Sequence, residues 1–334
     1  MRLASLLFIA ALGGCATAPL PSPVPAPVPA PLPAPVAAPV AAPAAAPAPA
    51  PLALESLLQK PIYQMTPAEA GRYIQHMHQA EPDLRKRIAA IGRQNIGQPY
   101  KLNLLGEFPY QLHDSLPMFS LTESDCVVFA EHTYAMALSR SWEEFFWMLQ
   151  RIRYKDGVVG VASRNHYTEV DWNINNNWLL TDVSAVLGGA TGPSYALTVD
   201  RARFLKTRHQ TDSTLPVQIS REFFVPADQV NLAVAQLRDG DLVNVISTRK
   251  GEFWASHVGL VVVGADGRRN FLNSAEPQVR EESFDAFVAR TRAREQRNAG
   301  AGRTGQQLAG FKFLRLNDNI VVPPALPQPR PGAL

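Results

Sequence analysis

The sequence predicts an α+β fold in which N-terminal helices pack on an antiparallel β-sheet built from the second half of the chain. Three observations predict it. Between residues 66 and 153, apolar residues recur at helical spacing behind capping residues. Between 241 and 316, short β-rich runs alternate with turn residues. Helices come first and strands after, the order of a segregated α+β chain and not of an alternating α/β one.

Each element has its own signal. Thr66-Pro67-Ala68-Glu69 reads as a helix start, with Thr66 as cap and Pro67 in the first turn. A second helix covers about 82–96 and stops near Gly97-Gln98-Pro99. Ser124-Asp125-Cys126 opens a third, with Val127, Ala130, Tyr134, Ala137 and Leu138 at helical spacing. Ser141 caps a fourth that runs to about Arg153. Strands are expected at 241–246, His257 to Val263, Asn270 to Ser274 and Phe311 to Leu316. Residues 289–310, rich in Arg, Gly and Gln, read as a flexible, solvated insertion.

This domain, 54–322, is flanked by segments that cannot pack. Residues 1–15 read as an export signal: Arg2, an apolar run from Leu3 to Leu12, then small residues before Cys15. The run is too short to span a bilayer as a permanent helix. Leu12-Gly13-Gly14-Cys15 resembles the lipobox of bacterial lipoproteins. The resemblance implies lipidation of Cys15, a membrane anchor there, and, with Ala16 next, an outer-membrane lipoprotein whose domain faces the periplasm. Residues 16–53 are almost all Pro, Ala, Val and Leu, and alternate prolines remove the donors that helix or sheet needs. As a polyproline-like spacer this stretch reaches on the order of 100 Å. The Pro-rich tail, 323–334, reads as loose.

Net charge is only +3, so nothing suggests nucleic-acid binding. No His-Glu-x-x-His or Cys-x-x-Cys spacing is present, so no metal or other cofactor is expected. Of two cysteines, Cys15 belongs to the lipobox, which leaves Cys126 as the single thiol of the domain. In an exported protein that thiol has no intramolecular partner and is either buried or useful. Its place in the first turn of a helix suits a reactive role, because unpaired N–H groups and the helix dipole favour a thiolate and can hold an oxyanion, but core cysteines also occur at helix starts and position alone does not decide.

A cysteine nucleophile wants an imidazole. Of the seven histidines, His132 lies around the helix from Cys126, and His76 and His78 do not share a face. His113 and His209 lie in polar stretches. His257 opens an otherwise apolar strand and is the leading base, with His166 in reserve. Gly264-Ala265-Asp266-Gly267 predicts a hairpin turn. A loop centred on Ala265 sets His257 opposite Asn273, on the same face, where Asn273 can orient the ring. A register one residue away puts Ser274 there instead.

These residues resemble the NlpC-type branch of papain-like cell-wall hydrolases, and within it the N-acetylmuramoyl-L-alanine amidase-like family. Gly97-Gln98-Pro99-Tyr100 resembles its Gly-x-Pro-Tyr element, and Asp125-Cys126-Val127-Val128-Phe129-Ala130-Glu131 its nucleophile helix. Arg153-Tyr154, Arg164-x-His166-Tyr167, Asp171-Trp172, Asp239-Gly240-Asp241 and His257-Val258-Gly259 follow in the family's order. The resemblance implies a papain-like cysteine hydrolase fold, with Cys126 as nucleophile, His257 as base and the Tyr100 hydroxyl near the thiol or oxyanion. Asn273 stands where the family usually has histidine. Asp125, Arg164, His166, Tyr167, Asp171 and Trp172 are implied as substrate-binding residues. The implied partner is peptidoglycan or a muropeptide, met by a monomer, and the bond cut is the amide between N-acetylmuramic acid and L-alanine. The alternatives are a stem-peptide endopeptidase cutting after γ-D-glutamate and a non-catalytic wall-binding lipoprotein.

Overall fold

The structure is a computed structural model that describes residues 52–332 apart from 113, 189–191, 304, 325 and 329. The export signal, Cys15 and the spacer up to 51 lie outside the described residues. The helices are α1 (Leu54–Gln59), α2 (Pro67–Ala80), α3 (Leu84–Arg93), α4 (Cys126–Leu138) and α5 (Trp142–Arg153), followed by a π-helical turn at Thr168–Trp172. Shorter α6 (Asn173–Asn175), α7 (Ser184–Leu187), α8 (Arg201–His209) and α9 (Val230–Val234) come next, and α10 (Phe284–Gly300) is the longest. The strands are β1 (Leu180–Asp182), β2 (Ser194–Val199), β3 (Gln218–Phe223), β4 (Val225–Pro226), β5 (Leu242–Arg249), β6 (Glu252–Val263), β7 (Arg269–Ala275), β8 (Gln278–Ser283) and β9 (Gln307–Leu316).

The helix starts follow their caps. Thr66 and Glu69 form a capping box, with Pro67 in the first turn. Asp83, Asp125 and Ser141 each accept backbone N–H groups at the starts of α3, α4 and α5. Every residue of α4 from Val128 to Ala137 is buried, so this helix is the axis of the helical layer.

Among the described residues the main sheet has seven strands in the order β1-β9-β5-β6-β7-β8, with β4 also on β9. Its pairs are antiparallel. Alternation along the strands sends side chains to two different cores. Leu242, Val258, Leu260, Val262, Leu272 and Leu314 join the residues of α2 to α5. Val243, Val245, Val261, Phe271, Phe311 and Phe313 meet α9 and α10 on the other face.

The second core corrects one expectation, and hydrogen bonds of the tail correct another. Residues 289–310 are not a flexible insertion, since 284–300 form α10. Ser283 caps that helix, and Phe284, Phe287 and Thr291 make a buried stripe at spacings of three and four. The Arg- and Glu-rich remainder is its outer face, a good composition for helix. Nor is the Pro-rich tail loose. Gln328 donates to Gly157 O and accepts from Val159 N–H, and Gly332 N–H reaches Pro109 O.

Candidate active site

β6 and β7 pair with Leu260 opposite Leu272 and Val261 opposite Phe271. The loop is therefore centred on Asp266, with Gly264 N–H on Arg268 O and Gly267 at φ +78°. This register lies two residues from the expected one. A shift of two keeps every side chain on its face, so His257 and Asn273 are diagonal neighbours instead of a direct pair. Nε2 of His257 and Oδ1 of Asn273 are 3.1 Å apart. Gly259 makes this diagonal possible: a Cβ there would lie 2.9 Å from Asn273 Cβ and 2.7 Å from Leu272 O.

The network fixes the tautomer. Asn273 is fully buried, and its Nδ2 donates toward Glu282 Oε1 and Phe271 O, so Oδ1 faces the imidazole and accepts. His257 then carries its proton on Nε2, and Nδ1 is a free acceptor with no hydrogen-bond partner among the described residues. The ring lies parallel to Phe287 at 6.3 Å and edge-on to Phe271 at 6.0 Å. Burial in this apolar setting lowers its pKa to about 4, against the opposing effect of the hydrogen bond it donates to Asn273.

Cys126 reaches the same corner from the helical layer. Its thiol is partly buried, packs against the first core, and lies by the N–H groups of Val258, Val127 and its own residue. It therefore lies beside the peptide that joins His257 to Val258. A bulge at Ser256, where β5 pairs Val245 with His257 but Ile246 with Ala255, turns β6 just before the histidine. Two further contacts clamp the corner. Ser124 Oγ lies 2.9 Å from Ser274 Oγ and donates to Gln98 Oε1, while Ser274 Oγ donates to Ser124 O. Ser274 thus faces the helical layer, away from Asn273, and pins β7 to the start of α4. Tyr100 is held between the two by its N–H on Pro277 O and a bridge to Ser124.

The expected thiolate does not form at rest. Burial first, and then the Asp125 carboxylate beside it, push the Cys126 thiol up to about 12, outweighing the three N–H groups. Asp125 Oδ1 already takes the N–H groups of Val127 and Val128. Burial, with Cys126 and Asp125 nearby, likewise raises the Tyr100 phenol to about 12, so it remains a donor. A cavity of about 240 Å³ beside Tyr100 and His257 runs under α10.

The residues expected to bind substrate divide. Arg164, His166, Tyr167 and Asp171 line a separate cavity of about 300 Å³. Arg164, His166 and Asp171 each have a partner within the chain, while the Tyr167 hydroxyl has none among the described residues. Arg164 pairs with buried Glu107 at 3.0 Å, and Asp171 pairs with Arg201 and accepts from Tyr167 N–H. His166 Nε2 bonds Val161 O, and burial lowers the ring's pKa to about 3. Trp172 lines neither cavity. It is buried in the first core with Nε1 donating to Glu131, because the π-helical turn sends it inward. Asp125 serves as the α4 cap. Gly259, Ser274 and Gln98 were named in sequence, as motif residues or, for Ser274, as the alternative partner of His257, but their roles in closing this corner were not read. The polar Asn273-Ser274 pair inside an apolar strand was the signal for Ser274.

Fold and corner together define an α+β protein with a cysteine and a histidine at the junction of a buried helix and an antiparallel sheet. Residues 90–292, more than half of the chain, match the AmiA-like family, described as N-acetylmuramoyl-L-alanine amidase-like. The chain belongs to that family of amidase-like peptidoglycan hydrolases. A search of curated proteins gives no match. Among solved structures, a Legionella pneumophila protein of the DUF1460 family is similar over 74% of this chain and 94% of its own, at 19% identity and TM-score 0.59. An N-acetylmuramoyl-L-alanine amidase from Bacteroides uniformis is similar over 70% of this chain and 99% of its own, at 20% identity and TM-score 0.52. At such identities the likeness is one of fold.

Proposed function

We propose that this protein is a papain-like cysteine amidase, anchored to the outer membrane through Cys15, that cuts the bond between N-acetylmuramic acid and L-alanine of the stem peptide. The observation that carries the reading is the free Nδ1 of His257, oriented by Asn273 on the strand beside which the Cys126 thiol lies. As substrate binds, the thiol proton passes to Nδ1 while sulfur attacks the lactyl carbonyl. The Cys126 N–H and the Tyr100 hydroxyl face the developing oxyanion. Collapse breaks the C–N bond, and the imidazolium gives its proton to the departing L-alanine amine. Water, deprotonated by the same ring, then hydrolyses the thioester and restores the thiol. The amidase choice over a stem peptidase rests on the family match, since thiol chemistry attacks any positioned amide alike.

The purified protein is expected to convert muropeptides into free stem peptide beginning with L-alanine plus peptide-free sugar. Cys126→Ser should lower turnover by about a thousandfold or more and leave the thermal midpoint within a few degrees. Mass spectrometry of the digest decides. L-Ala-D-Glu retained on the muramic acid would make the enzyme a stem peptidase, and full turnover by Cys126→Ser would end the cysteine reading. Acyl chains persisting on a Cys15→Ser protein would end the lipoprotein reading.

A further inference from the structure

Three arginines line the cavity beside His257: Arg280, Arg290 and Arg294. Two are committed. Arg280 Nε and Arg290 Nη2 both hold Glu282, at 3.2 and 2.7 Å, and Arg280 Nη1 also donates to Glu276 O. Arg290 lies over the Phe287 ring at 5.3 Å as well. Of the acids here, Glu295 accepts from Leu308 N–H and Arg292. Glu276 stands exposed at the β7–β8 turn. Arg294, exposed one helical turn beyond Arg290, has no hydrogen bond or ion pair among the described residues. It is the one cation of this cavity with no partner there. It stands on an α10 wall whose Phe287 also carries the His257 ring.

We infer that Arg294 is a specificity-determining residue that binds a carboxylate of the substrate beside the scissile amide. This rests on the amidase reading. In a stem peptide the second residue is γ-linked D-glutamate, whose α-carboxylate stays free one residue past the L-alanine whose amide is cut. A guanidinium can take that group through two parallel N–H donors. The paired arginines share one carboxylate, Glu282, so they keep one positive charge, but their donors are engaged with Glu282 and Glu276 O; Glu276 repels a carboxylate at the other rim, and the unspent donors are those of Arg294 on α10. The cavity also adjoins a second one of about 500 Å³ at Glu295 and Gln306, which leaves room for the rest of an extended stem.

The test uses the full chain and two muramoyl peptides that differ only in bearing D-glutamate or its α-carboxamide. Wild type should prefer the acid. Arg294→Gln should cut the acid-to-amide ratio of kcat/KM by about threefold to fivefold, chiefly through KM, and Arg294→Lys should restore part of it. Arg297→Gln removes the same charge about one turn further along α10, at a residue that does not line the cavity, and should leave the ratio unchanged. An unchanged ratio in Arg294→Gln, or an equal fall in Arg297→Gln, overturns the inference while the amidase reading stands. A wild type that cleaves neither peptide takes both down together.

Discussion

The cavity beside His257 and the cavity beside His166 are of similar size, about 240 and 300 Å³, and each contains an imidazole, arginines and carboxylates. They differ in what those groups are doing. Around His166 the ring bonds a backbone carbonyl, Arg164 holds Glu107 and Arg201 holds Asp171. Around His257 one ring nitrogen is fixed by a side chain, Asn273, the other is unused as it is in His166, and Arg294 has no partner among the described residues. A buried polar network that satisfies itself holds a loop in place. A reactive group must keep one atom oriented yet unused. Both imidazoles keep one ring nitrogen unused, so the cavities are separated by their surroundings: the arginines of the second are spent on Glu107 and Asp171 and hold the Arg164–Trp172 segment, while the first has the Cys126 thiol at its corner and Arg294 unspent.

The largest expected effect breaks this comparison directly. His257→Ala should lower kcat/KM by about a hundredfold to ten-thousandfold with a small change in stability. His166→Ala should do the reverse, because its ring packs against Phe204 and satisfies Val161 O. Its cost is about 1–3 kcal/mol of folding free energy, with turnover per folded molecule within twofold of wild type. Denaturant midpoints and steady-state rates on the same preparations measure both. A folded His166→Ala protein without turnover would exchange the roles of the two cavities.

A smaller effect is expected from the groups that hold each site. Gly259→Ala places a methyl group within 3 Å of the Leu272 carbonyl and Asn273 Cβ. Relief requires β6 and β7 to part, costing about 1–3 kcal/mol, and moves Asn273 off the imidazole, so activity should fall about tenfold or more. Trp172→Phe removes the indole donor to buried Glu131 and should cost a similar 1–3 kcal/mol without a matching loss of turnover. Equal activity losses in the two variants would place Trp172 at the substrate after all.

How much of this was legible depends on what kind of information each residue carries. Capped helices such as α2 and α5 announce themselves, since cap and period agree within one short segment. α10 did not, because its buried stripe of Phe284, Phe287 and Thr291 is sparse among arginines. The strands between 180 and 226 went unread: β1 and β4 have three and two residues, and β2 and β3 form a separate two-stranded sheet. The His257–Asn273 contact was readable in spite of a misplaced turn, because parity survives a slip of two. What sequence order could not reveal was partnership. Arg164, Asp171 and Trp172 look like ligands in a motif, and only their contacts with Glu107, Arg201 and Glu131 show them occupied.

The smallest expected effect is a near-absence of pH dependence, and it separates this site from one that rests as an ion pair. The imidazole titrates at about 4 because burial disfavours its charged form, and the thiol at about 12 because burial and Asp125 disfavour the thiolate. Above pH 4 the ring is neutral and can accept the thiol proton. Below it the ring is protonated, and kcat/KM should fall about tenfold per pH unit. On the alkaline side nothing in the pair titrates until near 12, so kcat/KM should vary less than about twofold between pH 6 and 9. A resting thiolate–imidazolium pair would instead lose activity in mildly alkaline solution as its imidazolium deprotonates. Iodoacetamide gives an independent reading. Its reaction at Cys126 should be slower than with a free thiol at pH 7.5, and it should accelerate about tenfold per pH unit with no plateau below pH 10. Thermal midpoints taken at each pH keep unfolding from being read as titration. Fast labelling at pH 6 together with an alkaline fall in kcat/KM near 8 would show that the thiol is ionised at rest and that the Asp125 carboxylate does not set its state.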